Sequence, residues 1–590
     1  MIQYDINKLD DLNLGVFLRN SAKNFPDRPA LAFVGQDYIL YKDFLDKVRK
    51  LSYNLSSHGI EFGDKVAIWS ENSPNWLISY FAIVSIGAVA VPVLPDFSPK
   101  EVENIMQHSE AKVIFVSSTL YKKLYMNGAT KGKTIILLRD FTMHINKDGE
   151  TKKEDAFVKF CKDHSEVLKS YEFPKVVADD LASIIYTSGT TGTSKGVMLS
   201  HRNLVANGIQ GYHTFPIDET FRFLSILPMS HTLEFTLGNI FAVMMGASIH
   251  YITKPPTAAV LMPALKKVKP NIMLTVPLIM EKIYKSKIRP ELTNSPIKRW
   301  LYGMGFTRKF LHKIAGKKLY NTFGGELHFY GIGGAKLDFD VERFLFEADF
   351  PYAIGYGLTE TSPLLAGTTP HKCELGSTGP AVRGVTLKLI NQDPKTGEGE
   401  IIAYGPNIMQ GYYKADDLNK EVFTEDGGFR TGDTGIIDEK GFLFIKGRIK
   451  NMILGPSGEN IFPEEIEAAI NKSEWVLESL VYELKGKIVA RVELNYEEIN
   501  KQIKNLKSKA SEAEKEVTEI LNNIKKSVND EVNRFSRLSG IFEQKEPFIK
   551  TPTKKIKRYL YHDKDAGENP VDKSQKEDKN HDKIGEKMVK

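Results

Sequence analysis

The 590-residue sequence predicts an α/β fold with largely parallel sheets, on three observations. Short β-branched or apolar runs (KVAIWS, AKVIFVS, KTIILLRD, ASIIYTS, NIMLTVP, PYAIGYG) recur from about residue 30 to 480. Amphipathic stretches separate them, and strands spaced by helices favour crossover connections and parallel pairing. A hydrophobic content of 42% over this length supplies a core that needs no staples.

Composition narrows the class. The length corresponds to roughly three to five domain-sized units. With 80 Lys+Arg against 74 Asp+Glu, the net charge of +6 gives no support to a nucleic-acid partner. Two cysteines, Cys161 and Cys373, can form neither a disulfide framework nor a four-thiolate zinc site, and they fit a reducing compartment. Disordered, collagen-like and disulfide-rich classes are excluded. A large soluble intracellular enzyme is the expectation.

Taken in order, the elements begin with a polar, acidic start, MIQYDINKLDDLNLG, which lacks a basic region followed by an apolar one. No secretory signal is expected. An uncharged apolar run, 76–93, has about the minimum length for a bilayer span but changes character at Gly87. It predicts a buried helix turning into a buried strand. Between about 375 and 445, closely spaced glycines and alternating residues (GSTGPAVRGVTLKLI, EGEIIAYG, GFLFIKGR) predict an antiparallel β-rich subdomain. In 499–535, Ile499, Ile503, Leu506, Ala510, Ala513, Val517, Ile520 and Ile524 recur at helical spacing. Such a helix packs on its own domain or, alternatively, self-associates as a coiled coil. The tail after Tyr561 has no aromatic residue and is expected to be disordered.

The most informative stretch is ASIIYTSGTTGTSKGVMLSH, 182–201. A buried strand, 183–186, runs into Thr187, Ser188, Gly189, Thr190, Thr191, Gly192, Thr193, Ser194, Lys195 and Gly196. Glycines let backbone approach phosphates, N–H groups and hydroxyls solvate their oxygens, and lysine adds charge. A Walker A loop counted from Gly189 needs glycine where Ser194 stands and Ser or Thr where Gly196 stands. It fails at both.

YTSGTTGTSKGV resembles the phosphate loop of the adenylate-forming superfamily, with Ser194 in place of the common proline. Further motifs follow in that family's order: LPMSHTLE (227–234, with His231 and Glu234), YGIGGAKL (330–337), YGLTET (356–361), FRTGD (429–433), GRIKNMI (447–453), GENIFPEEIE (458–467) and KTPTKKIKR (550–558). The resemblance spans about residues 15 to 561 and is nearest to the long-chain fatty acyl-CoA synthetase branch.

It implies two α/β sheet layers and a small β-rich subdomain (375–446) in an N-terminal region, 1–449. A smaller mobile α+β domain, 450–561, with a helical insertion at 496–535, and a charged tail, 562–590, complete the implied organisation. Catalytic roles are implied for Lys555, Glu360, Thr191 and His231, the last as a gate to the acyl pocket. Nucleotide contacts are implied for Thr187, Ser188, Gly189, Thr190, Thr191, Gly192 and Lys195 in the loop. Gly333, Gly334 and Ala335 would oppose Tyr356 across adenine, with Gly357 and Thr359 beside the phosphates. Asp433 and Arg448 would anchor the ribose. Glu360 is a hard oxygen ligand suited to Mg²⁺. Lys450 occupies the hinge, and Gly458, Glu459 and Asn460 the loop facing the acceptor thiol. In KTPTKKIKR, Lys554 stands at a position where the family carries glycine, and Lys555 aligns with the active lysine.

The implied reaction joins a fatty acid to CoA, with ATP and CoA as co-substrates, Mg²⁺ as cofactor, and AMP and pyrophosphate as products. Two alternatives stand beside it: loading of a carrier protein in trans or release of the adenylate, and a silent lipid- or nucleotide-binding scaffold. Apolar residues in 203–247 and 271–346 furnish an acyl tunnel or ordinary core. In 282–318, eleven basic residues and one acid are interleaved with Ile283, Ile288, Trp300, Leu301, Phe306, Phe310, Leu311 and Ile314. That segment suits peripheral contact with anionic membrane, and equally a solvated cationic face or a site near CoA phosphates. The expected location is the cytoplasm, with the inner membrane surface as its peripheral variant.

Overall fold

Each apolar run named above forms a strand: Lys65–Trp69, Val113–Val116, Thr134–Leu137, Leu181–Thr187, Ile272–Thr275 and Tyr352–Gly357. The structure, a computed structural model, describes residues 4–126, 133–147, 150–153, 157–187, 194–455, 460–497, 499, 510–551 and 555–561. The chain divides into two units, the first made of Met1–Thr187 and Ser194–Ile445, the second beginning at Lys446.

Two large sheets organise the first unit. One has nine strands, with Leu181–Thr187, Val89–Val93, Lys65–Trp69, Val113–Val116 and Thr134–Leu137 parallel at its centre. Antiparallel strands close both margins, including Lys195–Ser200 and then Gly411–Tyr412. The other has eight strands, six of them parallel: Tyr352–Gly357, Phe329–Ile332, Ile272–Thr275, Arg222–Ser225, Ser248–Tyr251 and Pro29–Phe33.

A shared helical layer explains why both sheets read as continuous apolar runs. Val66 and Ile68 of one sheet and Leu31, Phe223 and Ile249 of the other fall in one core with Phe17, Val48, Leu77, Phe81 and Val205. Those residues lie on the helices Leu14–Asn24, Tyr41–Ser57, Pro74–Ser85 and His201–Thr214. Parallel strands covered on both faces must be apolar throughout. The helix Pro74–Ser85, capped by Ser73, is buried on every side, and Val89–Val93 follows it as a buried strand. This accounts for the uncharged run 76–93. Among the described residues, no helix is long and apolar enough to cross a membrane.

Beyond residue 380, tight glycine turns give a four-stranded sheet of Thr386–Ile390, Gly399–Tyr404, Phe429–Ile437 and Leu443–Arg448. In the second unit, Val476–Leu484, Lys487–Leu494 and Gly540–Glu543 form a sheet. Helices Pro463–Asn471 and Ala510–Glu531 supply Ile466, Ile470, Ile520, Ile524 and Val528 to the core of that unit. The apolar face of the long helix is therefore used within its own unit and is closed to a coiled-coil partner. Ile503, Leu506 and the tail lie outside the described residues.

Candidate active site

The phosphate loop is held at both ends by one antiparallel pair. Lys195 stands opposite Thr187 in the ladder between Leu181–Thr187 and Lys195–Ser200. Ser188, Gly189, Thr190, Thr191 and Gly192 lie outside the described residues. Directly after the second strand, Ser200 accepts from Asn203 N–H at 3.2 Å while Asn203 Oδ1 accepts from Ser200 N–H at 2.9 Å. This reciprocal cap starts the helix His201–Thr214 and fixes where the strand ends. Asn203 Nδ2 also donates to the carbonyls of Pro406 and Ile408 at 2.8 and 2.7 Å, drawing the 406–412 segment against the loop strand.

That segment supplies a residue the sequence did not single out. Tyr412 pairs across the ladder with Val197, its hydroxyl donates to Glu360 Oε1 at 2.8 Å, and its ring lies 5.3 Å from Lys195 Nζ. The distance is within cation–π range. One aromatic ring thus joins the loop lysine to the carboxylate of YGLTET. Met409 N–H donates to the Glu360 carbonyl at 2.9 Å, fixing the turn Thr359–Thr361 from the same side.

Further along, the strand Tyr352–Gly357 carries Tyr356 into the buried interior, where its hydroxyl donates to Asp433 Oδ2 at 2.8 Å. Asp433 N–H is held by Thr431 Oγ1 at 3.1 Å across Gly432, whose φ of +70° favours glycine. Gly357 has no room for a side chain, since a Cβ there would come 1.7 Å from the Pro363 carbonyl oxygen. A Cβ on Gly333 would meet Leu233 Cδ2 at 3.3 Å and Gly355 O at 3.5 Å. The Gly333–Gly334–Ala335 turn therefore adjoins both the Tyr356 strand and the LPMSHTLE segment.

LPMSHTLE folds as a turn followed by a π-helix, Leu233–Ile240, a form often found at functional sites. His231 is half-buried, and its Nδ1 accepts from Leu233 N–H at 3.3 Å. Asn72 clamps the turn, donating to Ser225 Oγ and the Leu227 carbonyl at 3.1 and 2.6 Å and accepting from Met229 N–H at 2.9 Å. On the other side Leu227 N–H approaches Glu234 Oε2 at 3.4 Å. Glu234 is buried, and desolvation pushes its carboxyl up to about 8 against the pull of Ser225 and Leu227. It is an uncharged acid at neutral pH. The motif contained Glu234, but only burial assigns its protonation, and nothing in the spacing pointed to Asn72.

The second unit presents the remaining candidates. Arg448 ends the strand Leu443–Arg448, and Lys450 sits exposed in the turn Ile449–Asn451. Asn460 opens a two-residue strand, while Gly458 and Glu459 lie outside the described residues. Lys555 is displayed on a short clip: its N–H donates to Thr551 Oγ1 at 3.1 Å and its carbonyl accepts from Thr551 N–H at 2.7 Å. The clip is anchored by Phe548 and Tyr561, which pack on Leu480, Tyr482 and Val489, and by Arg558, which donates to Glu467 Oε2 at 2.5 Å. Glu467 belongs to GENIFPEEIE, so two separate motifs of the sequence meet as one scaffold. Lys554 lies outside the described residues.

Within the first unit, then, Tyr412 links the loop cation Lys195 to Glu360, and four positions before Glu360 in the chain Tyr356 holds a second carboxylate, Asp433. Residues 18–413 match the AMP-binding enzyme family. The chain belongs to that family. Among its relatives is the peroxisomal long chain acyl-CoA synthetase 6 of Arabidopsis thaliana, 30% identical over 86% of this chain and 77% of its own. The chloroplastic long-chain-fatty-acid–[acyl-carrier-protein] ligase AEE15 of the same plant is 28% identical over 78% of this chain and 73% of its own. Mycobacterium tuberculosis long-chain-fatty-acid–CoA ligase FadD15 is 28% identical over 75% and 77%. Among solved structures, O-succinylbenzoate coenzyme A synthetase from Bacillus subtilis, in complex with AMP, superposes with a TM-score of 0.70 at 20% identity, covering 94% of this chain and 99% of that one. The AMP-binding enzyme fold thus extends over both units.

The donor set of this AMP-binding enzyme fits Mg²⁺ held jointly with a nucleotide. Among the described residues no cluster of three or more His, Cys, Asp or Glu could cage a metal by itself. Glu360 offers one half-buried carboxylate oriented by Tyr412. Mg²⁺ commonly takes one or two carboxylates and completes its shell with phosphate oxygens and water. Cys161 and Cys373 are free thiols outside these contacts, and Cys373 donates to the Tyr352 carbonyl at 3.3 Å.

Proposed function

We propose that this AMP-binding enzyme activates a long-chain fatty acid with ATP, releasing pyrophosphate, and then transfers the acyl group from the adenylate to CoA, releasing AMP. Two sets of contacts carry the reading: Lys195–Tyr412–Glu360 pairs a cation suited to phosphate with a metal-suited carboxylate, and Tyr356–Asp433, from the same strand and turn of the chain, adds an aromatic face and a ribose-suited carboxylate. The shared naming of the relatives supports the substrate class.

In this reading Thr187, Ser188, Gly189, Thr190, Thr191, Gly192 and Lys195 cradle the phosphates. Glu360 would hold Mg²⁺, which neutralises phosphate charge when bound. Tyr356 offers its face to adenine against Gly333, Gly334 and Ala335, with Gly357 and Thr359 alongside. Asp433 accepts the ribose hydroxyls, and the bond from Tyr356 holds that carboxylate ready for them. Arg448 adds a second anchor. Lys555 faces the α-phosphate, where positioning and charge neutralisation make up most of the catalysis. His231 gates the acyl pocket, next to a turn kept in shape by Asn72 and Glu234. For the second half-reaction, the domain beyond the hinge at Lys450 turns and presents Gly458, Glu459 and Asn460 to the thiol. The enzyme works in the cytoplasm.

A second reading, transfer to an acyl-carrier protein, is favoured by the similarity to the acyl-carrier-protein ligase. A panel of fatty acids assayed with CoA or with carrier protein separates the two. CoA thioester formation greatest with long chains supports the proposal. Activity with carrier protein alone replaces it by the second reading, and absence of ATP–pyrophosphate exchange with every acid removes both.

A further inference from the structure

In 282–318 the structure sorts apolar side chains that the sequence left mixed. Ile288 is buried, while Ile283, Leu311 and Tyr302 pack partly buried against the core beside the eight-stranded sheet. Ile297, Trp300, Phe306, Phe310 and Ile314 point the other way, with exposures from 55% for Ile314 to 87% for Phe306. They lie on two consecutive helices, Pro296–Gly303 and Gly305–Thr322, and the first of these buries no residue fully. Phe306, Phe310 and Ile314 repeat every four residues and so form a single ridge.

The charge around this ridge is of one sign. Residues 296–318 hold seven basic residues and no acid. Arg308 is engaged by Glu347 at 2.8 Å and Lys318 by Glu291 at 3.0 Å. Among the described residues no carboxylate pairs with Arg299, Lys309, Lys313 or Lys317. Lys309, Lys313 and Lys317 share the four-residue repeat and form a basic row alongside the ridge. Large exposed aromatics in a contiguous patch mark an interaction surface. A second copy meeting the patch in a symmetric dimer would set these cations against their like. A free phosphate would satisfy the lysines but leave Trp300, Phe306 and Phe310 in water.

We propose that the surface of helices Pro296–Gly303 and Gly305–Thr322 docks on a lipid bilayer bearing anionic headgroups. Trp300, Phe306, Phe310 and Ile314 enter the headgroup–acyl boundary, and Arg299, Lys309, Lys313 and Lys317 pair with the lipid charges. Interfacial helices combine these two features, aromatic residues on one face and Lys or Arg beside it. This surface does not depend on the identity of the acyl substrate.

The test is co-sedimentation of the full chain with vesicles of phosphatidylcholine alone or mixed with phosphatidylglycerol. Binding is expected only to the mixed vesicles. Lys309→Gln with Lys313→Gln should weaken it by about fivefold per lysine removed, and Phe306→Ser with Phe310→Ser by about tenfold or more. Melting temperature and ATP–pyrophosphate exchange verify that each variant is folded, and sedimentation velocity without vesicles reports self-association. Equal binding to both vesicle types, binding to neither, or unchanged binding by both folded variants overturns the proposal. So does a dimer that the serine variant dissolves in the absence of vesicle binding, which would assign the patch to a second copy.

Discussion

Glu234→Gln isolates the neutral buried acid beside the LPMSHTLE turn. The carboxyl titrates near pH 4.5 in an unfolded chain and at about 8 in the folded enzyme, because burial penalises its charged form. A raised folded value means that the native state holds a proton the unfolded chain has already lost. The associated stability is complete below the unfolded pKa and is lost progressively as pH rises toward the folded one. At 1.36 kcal/mol per unit, and with the group half-titrated at its folded pKa, roughly 2 kcal/mol is lost between about pH 6 and pH 8. Glutamine keeps an acceptor for Leu227 N–H and does not titrate, so the variant lacks this slope. Spread over the roughly 440 residues of the first unit, that difference corresponds to about 2 °C in melting temperature. Other raised acids such as Glu342, at about 7, affect both proteins alike and cancel. On the acid side, the buried neutral imidazoles His201 and His250, lowered by desolvation to about 3 and 4, act in the opposite sense. Melting curves of both proteins across this range give the result directly. The variant's melting temperature should gain on the wild type as pH rises. A gap that stays constant, or that widens toward acid pH, refutes the buried neutral carboxyl.

Three further outcomes are expected. Tyr412→Phe removes the hydroxyl from Glu360 but keeps the ring beside Lys195, and should lower kcat/KM for ATP by about tenfold, the effect of one hydrogen bond to a charged group; unchanged kinetics across a Mg²⁺ titration would deny Tyr412 a part. Lys555→Ala should slow ATP–pyrophosphate exchange by about a hundredfold or more while sparing thioester formation from supplied acyl-adenylate. Normal exchange in that variant, with loss in Lys554→Ala, would transfer the role to the neighbouring lysine. Lys450→Pro should leave adenylate formation intact and stall thioester formation, since proline restricts the turn Ile449–Asn451, and a variant unchanged in both half-reactions would speak against rotation at that residue.

The α/β class, the order of the motifs and the family were legible in the sequence because each is written in contiguous residues. Apolar runs report buried strands, hydroxyls and glycines between strand and lysine report a phosphate loop, and helical spacing reports the face carried by Ile520 and Ile524. Tertiary structure decided what joins these pieces. Tyr356 meets Asp433 across 77 positions and Tyr412 meets Glu360 across 52, through strands whose lateral neighbours no local pattern specifies. Asn72 reaches Leu227 across 155 positions in the same way. Protonation of Glu234 likewise depends on the packing around the π-helix, because desolvation is a property of the surroundings and not of the residue. The same applies to 282–318: sequence mixes Leu311 with Phe310, and only the placement of the helix on its core sends the first inward and leaves the second in water. Local chemistry is encoded residue by residue, whereas pairing, burial and outward direction arise only when distant segments share one core.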